Sequence, residues 1–454
     1  MKEKIEYYHN VLVRHYLVVL LFMALVALTI AGIGSRRIVG LIGCTLCAVA
    51  FTKGEAKIDL WILIPLLVYE SLNALSSMRI SGDVFHGFFN TQIIYPVIYF
   101  MLAYLSNNER LWLHRLCALW AGIISACGVF QFVHSALEGN VSRLEGCLGN
   151  PNALGIFLVV SWFAMKDIQS DDEETGIIDG LLKRMEPVLL TALALTLSMG
   201  SFLSMAVGIF VLLIRKNRYS TRNELFAYSL CMAAEVLLGV GPGILLYFVA
   251  VMTDIKWIAA FIIMYLISLA FYWPVLKRFL IVHKRLRLII TFAGVFMAVP
   301  VLLFRSNAIS TFIERFQMMR NGLGYLFQEP VLGVGPYQWR YLNMSDGDIY
   351  FNTWYIHNSL IHIGVELGLI AMAMLMIIIF RRCRKGGREI AGFFAFVMHN
   401  MIDTGFFYPG LTALTVMTTA NPNNRGHTLS RLTANVFFAV LFAIFVYTGF
   451  HDAF

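Results

Sequence analysis

Long apolar runs recur along the whole chain, separated by short polar turns. They are continuous rather than alternating, which predicts helices and not the strands of an outer-membrane barrel. Spans are expected at 16–34, 38–52, 58–75, 91–105, 112–134, 152–165, 187–199, 202–214, 225–251, 257–275, 288–304, 358–380, 390–408, 410–420 and 432–450. Several fall short of the ~20 residues of a straight crossing, so 187–199 with 202–214, and 390–408 with 410–420, are candidates for merged, tilted or re-entrant pairs. The expected fold class is an all-α polytopic membrane helix bundle of about 12–15 transmembrane helices. Residues 1–454 read as one integral membrane domain with a large loop at 305–357.

Composition supports this reading. The 454 residues are 59% hydrophobic and 14% charged, with mean hydropathy +0.73. A soluble domain carries nearer a quarter of charged residues. Lys and Arg then set the orientation. With the N-terminus in the cytoplasm, 26 of the 35 fall in 1–15, 51–57, 106–115, 166–186, 215–224, 276–287, 381–389 and 421–431, and 9 fall outside. That bias is the positive-inside rule, so the net charge of +8 is membrane anchoring and not a nucleic-acid patch. The basic start and first apolar run lack a small-residue cleavage site and read as an uncleaved helix. Cys44 and Cys47 form a C-x-x-C inside an apolar span, where small core residues are the better reading. No internal repeat is visible, and the loop 166–186, with its DDEE run at 171–174, reads as a solvated linker.

On this topology the one long outer connection is 305–357. Its aromatic residues, among them Phe312, Phe316, Tyr325, Phe327, Tyr337, Trp339, Tyr341, Tyr350, Phe351, Trp354 and Tyr355, argue against disorder. They fit an interfacial belt or a platform on which sugar rings stack.

Candidate chemistry collects at outer span ends. Arg143 and Glu145 precede Gly149-Asn150-Pro151-Asn152; Arg315 and Arg320 lie in the long loop, followed by GVGPYQW at 333–339; His357-Asn358 opens the span 358–380. Arginines there suit phosphate or carboxylate, because the guanidinium presents a planar fork. Interfacial snorkelling suffices for Arg36, Arg37 and Arg340. Asn-Pro-Asn makes a good helix start, which also favours negative charge. His357 has the titration range of a base, although a lone histidine is more often a cap. Metal ligation is not expected: His357 and His362 are five apart, and Asp346-Gly347-Asp348 is ordinary turn chemistry. The glycine pairs at 239–243 and 333–335 lack the lysine of a phosphate loop.

Taken in order, these segments resemble the O-antigen ligase and Wzy-type polymerase superfamily of bacterial membrane glycosyltransferases. RLEGCLGNPNALG (143–155) is similar to that family's Gly-Asn-Pro-Asn segment. Arg315 followed by PVLGVG (330–335) resembles its arginine-bearing outer loop. HNSLIHIGVELGLI (357–370) resembles the His-Asn opening of a late helix, and His399 and Asp403 resemble a late His…Asp pair. The chain departs from the pattern in LSMGSFLSM (197–205), where Phe202 stands in place of an arginine.

The resemblance implies a GT-C-like bundle in the bacterial inner membrane, with its site on the outer face. It implies transfer of a glycan from an undecaprenyl-diphosphate carrier to the hydroxyl of a glycan or lipid-linked acceptor, with inversion and without a cofactor or metal. His357 and Arg315 would be catalytic. Arg143, Asn150, Asn152, Arg320, Gly333, Gly335, Asn358, Glu366, His399 and Asp403 would bind substrate or orient these groups. Partners would be the lipid-linked donor, the acceptor and membrane lipids, with no nucleic acid. Ligase and polymerase are not separated. The rival class, a flippase for lipid-linked saccharides, calls for broken helices and a repeat.

Overall fold

The computed structural model describes residues 15–32, 36–87, 92–169, 177–217, 220–252, 257–303, 308–345, 353–387, 389–422 and 426–450. Asp346, Asp348, Tyr350, Phe351 and the DDEE segment lie outside them. The chain is all-α, with 17 α-helices among the described residues. Each of the fifteen expected apolar segments is a helix: α1 Tyr16–Ala31, α2 Arg36–Ala50, α3 Leu60–Ser81, α4 Ile94–Met101, α5 Asn107–Leu137, α6 Pro151–Gln169, α7 Ile177–Leu195, α8 Met199–Asn217, α9 Arg222–Met252, α10 Trp257–Val282, α11 Lys284–Leu303, α14 Ser359–Lys385, α15 Ile390–Asn400, α16 Pro409–Thr419 and α17 Arg431–Phe450. The other two, α12 Ala308–Gln328 and α13 Gln338–Ser345, occupy the long connection.

Among the described residues seven helices are long and apolar enough to cross a membrane: α3, α5, α8, α9, α10, α14 and α17. Three apolar stretches are shorter: α1, Ile94–Tyr104 and α15. The pair 187–199 and 202–214 is not merged, because Thr196-Leu197-Ser198 turns between α7 and α8 with Leu197 at φ 47°. The pair α15 and α16 consists of two eleven-residue helices, each ~16 Å long, joined by a 3-10 turn at Gly405–Phe407. Pro409 starts α16, where a missing N–H costs nothing.

The chain divides into two compact units. The first comprises 1–117, 313–390 and 400–454; the second comprises 118–312 and 391–399. In the first, α3 packs antiparallel on α14. Asp59 caps α3 and holds Arg381 (2.8 Å) and Lys385 (2.7 Å) from the end of α14. At the other end of α3, Arg79 binds Glu329 (3.0 Å) and the Gly333 carbonyl. Helices α2 and α17 approach so closely that a Cβ on Gly40 would lie 2.7 Å from Gly449 Cα. Small residues permit such backbone contact in helix pairs. One antiparallel ladder, Ala56–Ile58 on His427–Leu429, completes this unit.

The helix α14 is interrupted. Gly368 has φ 86° and ψ 173°, a conformation essentially restricted to glycine. The carbonyls freed by the break are taken by the PVLGVG segment: Val334 N–H donates to Val365 O (2.7 Å) and Gly335 N–H to Glu366 O (3.0 Å). Leu369 N–H returns to Pro330 O (2.8 Å), and the Ser76 hydroxyl donates to Leu332 O (2.8 Å). Every backbone group of such a break must find a partner away from water.

The second unit is a bundle of α6 to α11 with the last part of α5 and most of α15. Its core includes fully buried Trp162 and Trp273, whose indole N–H groups both end on Glu186 (3.0 Å each).

Candidate functional site

The N-terminus of α14 meets the joint between α15 and α16 in the first unit. Asn358 caps α14, accepting the Ile361 N–H (3.0 Å), and its amide donates to Met401 O (3.0 Å). Ser359 donates to Asn400 Oδ1 (2.7 Å), which also accepts the Phe406 N–H (2.6 Å). The joint between two half-length helices is thus pinned to the start of a third. The bonds to Ile361 N–H, Met401 O and Phe406 N–H satisfy backbone groups that helix ends leave open.

Asp403 sits at this joint and is 3% exposed. Its Oδ1 accepts the Thr404 N–H (2.9 Å) and lies 3.4 Å from His357 Nδ1. Its Oδ2 lies 3.2 Å from the Arg315 guanidinium, which also donates to Ile402 O (2.7 Å). Arg315 comes from α12 and His357 from the turn before α14, so three distant stretches of sequence converge on one carboxylate. The cluster is incomplete. His357 Nδ1 is within ion-pair range of Asp403 without being aligned as a hydrogen bond, and the buried Arg315 Nε has no partner. The His357 side chain is 24% exposed, so the group faces an accessible surface.

One wall is aromatic. Tyr355 stacks on Phe407 at 4.5 Å, and both rings meet His362 edge-on. Burial, then the nearby Glu366 carboxylate, pushes the Tyr355 phenol up to about 12. His362 is buried, with Nε2 3.5 Å from Glu366. Glu366 accepts the backbone N–H groups of Tyr337 and Trp339, which ties the 333–339 turn to the break in α14.

The remaining candidates separate. Gly333 and Gly335 have positive φ (65° and 110°) and lie against α14 and Ile80, where a Cβ would clash with the Glu366 backbone at 2.3 Å or with Ile80 at the same distance. Their conformation therefore serves the docking of this segment. Arg320 is exposed on α12. Arg143 belongs to the second unit, donating to Thr196 O (2.9 Å) and Asn152 Oδ1 (2.7 Å). Asn150 caps its own helix, accepting the N–H groups of Asn152 (2.8 Å) and Ala153 (3.1 Å). Two donors that the sequence offered to an anion are thus already used. Phe202 is half-buried near the start of α8, and His399 is fully buried in the second unit.

The aromatic loop splits by function. Trp339 is fully buried against Tyr325, whereas Phe312, Phe316 and Phe327 form an exposed stripe on α12. Arg340 lies over the exposed Trp354 ring at 4.1 Å. Among the described residues no group of three or more His, Cys, Asp or Glu is arranged to hold a metal ion.

Sequence reasoning passed over Ser76, Arg79, Ser359 and Asn400. The available signal was polarity within apolar spans, since Ser76, Ser77 and Arg79 interrupt the face of α3. It also passed over Glu186 and Glu235, the second lying inside the span 225–251.

No family model matches the chain, and no curated protein matches it.

Proposed function

We propose that the protein is a multi-pass membrane glycosyltransferase that moves a glycan from a lipid diphosphate to an acceptor hydroxyl. The observation that supports this most is the convergence of His357 and Arg315 on the buried Asp403. A carboxylate behind a histidine fixes its tautomer and stabilises the imidazolium formed when it accepts a proton. With Nδ1 toward Asp403, Nε2 would take the proton of the acceptor hydroxyl. The freed oxygen would attack the anomeric carbon, and the bond from that carbon to the diphosphate would break with inversion. The electron pair leaves on the lipid diphosphate, where Arg315 would stabilise the developing charge through its open donors. The 3.4 Å resting contact would shorten with substrate bound, as catalytic hydrogen bonds commonly do.

In this reading the chain lies in the bacterial inner membrane with 12–15 crossings, its N-terminus cytoplasmic and Asp403 toward the outer face. The donor is undecaprenyl-diphosphate-linked, in the manner of O-antigen ligases and polymerases. The sequence resemblance also gives Arg143 a part in substrate binding, and its substitution forms a separate arm of the test. The second reading, a flippase for lipid-linked saccharides, is favoured by the break of α14 at Gly368, since interrupted helices build transporter sites.

The decisive experiment gives purified protein a lipid-diphosphate glycan and candidate acceptors and reads chain growth on a gel. Transfer that persists in EDTA is expected, because arginine rather than Mg²⁺ faces the diphosphate. Activity lost to EDTA and restored by Mg²⁺ or Mn²⁺ would redirect attention to Asp346 and Asp348. Translocation of labelled donor without transfer would favour the flippase.

A further inference from the structure

In the second unit a compact charge network links four helices. Glu186 is completely buried and receives Lys166 (2.7 Å), Lys277 (2.8 Å) and the two tryptophan indoles. Glu235 pairs with Lys166 and lies 3.7 Å from Lys277. Two carboxylates and two ammonium groups leave this network neutral. Beside it opens a cavity of about 390 Å³, lined among others by Lys166, Tyr228, Cys231, Glu235, Ile281 and Arg287.

Arg287 is the unbalanced member. It is 6% exposed, and its guanidinium donates to Ala227 O (3.1 Å) and Cys231 Sγ (3.0 Å). Neither acceptor carries a formal negative charge. Its Nε is buried with no partner, and among the described residues no carboxylate lies within ion-pair distance of it. Glu235, the carboxylate on the cavity wall, is already held by lysines. Lys216 adds positive charge, its ammonium 4.0 Å from the Tyr228 ring centre. A buried cation lacking a counter-charge is costly, and a cavity at its side gives the counter-charge a place. At ~30 Å³ per water, this one admits far more than a bridging water.

We propose that the cavity is a second anion site, taking one phosphate group against Arg287. It is distinct from the glycan-transfer centre, and within its own unit it lies at the opposite end of α6 from Arg143. Lys166 stands 14 residues beyond Asn152 on that helix, roughly 21 Å at 1.5 Å per residue. Basic pockets between membrane helices bind the headgroups of anionic lipids, and free phosphate offers the same oxygens. The guanidinium fork suits either source.

The test uses the full-length protein, purified and delipidated in detergent. Native mass spectrometry compares phosphatidylglycerol with diacylglycerol of the same acyl chains, and thermal shift compares inorganic phosphate with chloride. Retention of phosphatidylglycerol over diacylglycerol assigns the site to a lipid headgroup. Stabilisation by phosphate over chloride without lipid retention assigns it to a soluble anion. Either binding should weaken about ten-fold or more in Arg287→Gln and remain unchanged in Arg285→Gln, an exposed neighbour. If Arg287→Gln does not fold, Arg287→Lys is measured instead. It keeps the charge and loses the fork, and a loss of several-fold is expected. Wild-type protein indifferent to both phosphate probes overturns the proposal. Equal weakening by Arg285→Gln and Arg287→Gln, or unchanged binding in Arg287→Lys, also overturns it.

Discussion

The clusters around Glu186 and Asp403 contain the same kinds of groups and are finished differently. Glu186 has two ammonium groups and two indole N–H donors at 2.7–3.0 Å, and none of its surface is exposed. Asp403 has an aligned backbone donor on one oxygen, an arginine at 3.2 Å on the other and a histidine at 3.4 Å that is not aligned. The Arg315 and His357 side chains around it are 20% and 24% exposed. A saturated carboxylate has nothing left to offer a substrate and serves to lock helices together. Around Asp403 it is the cationic and imidazole side that stays open, since Arg315 Nε and His357 Nδ1 have no hydrogen-bond partner. Burial of charge alone therefore does not mark a site, whereas incomplete satisfaction next to solvent does.

Substitutions can break this contrast. The largest effect is expected for His357→Ala, which should lower the proposed glycan transfer by ~10²–10⁴-fold while leaving the unfolding temperature nearly unchanged. A large drop in thermal stability instead would place Asp403 in the same structural class as Glu186. Glu186→Ala should behave in the opposite way, destabilising the fold by ~3–5 kcal/mol because two buried lysines are left to share the single Glu235 carboxylate and two indoles lose their acceptor. Thermal unfolding in detergent measures it, and a loss below about 1 kcal/mol would remove the saturated half of the comparison.

Smaller effects sharpen the contrast. Arg315→Ala should weaken donor binding by ~1.5–3 kcal/mol, read by titration with lipid diphosphate, and Arg315→Lys should restore only part because an ammonium lacks the fork. Full rescue by lysine would reduce Arg315 to a point charge. Gly368→Ala should destabilise by ~1–3 kcal/mol, since φ 86° disfavours any side chain and a Cβ would stand 2.1 Å from Val331 O. A neutral result in thermal unfolding would mean that the PVLGVG segment does not hold the break.

The helices were almost entirely legible in the sequence. Apolar length and the polar turns between runs located each one, because a backbone surrounded by apolar side chains satisfies its polar groups by forming a helix. The two additional helices in 308–345 were expected only as helical segments somewhere within 305–357, since amphipathic segments with exposed Phe312, Phe316 and Phe327 do not read as spans and carry no clear bounds. The site was legible as a set of residues and not as an arrangement. Arg315 and His357 stood out as polar groups at span ends and Asp403 through the family resemblance, yet nothing in their spacing says that one carboxylate receives the other two. In the same way Asn150 was legible as a helix cap, while its use of two N–H groups otherwise open to an anion is a matter of geometry.

What the sequence determined by itself was therefore local: helix positions, caps, glycines at positive φ and the basic bias of one set of loops. Each follows from interactions among residues a few positions apart or from the apolar surroundings of a whole segment. What only the tertiary structure decided was which charges are paired. Lys166 with Glu186 and Glu235, Arg381 with Asp59, and Arg315 with Asp403 are contacts across 20 to more than 300 residues. Electrostatic attraction falls off with distance in space and not along the chain, so helix packing settles which cations meet which carboxylates.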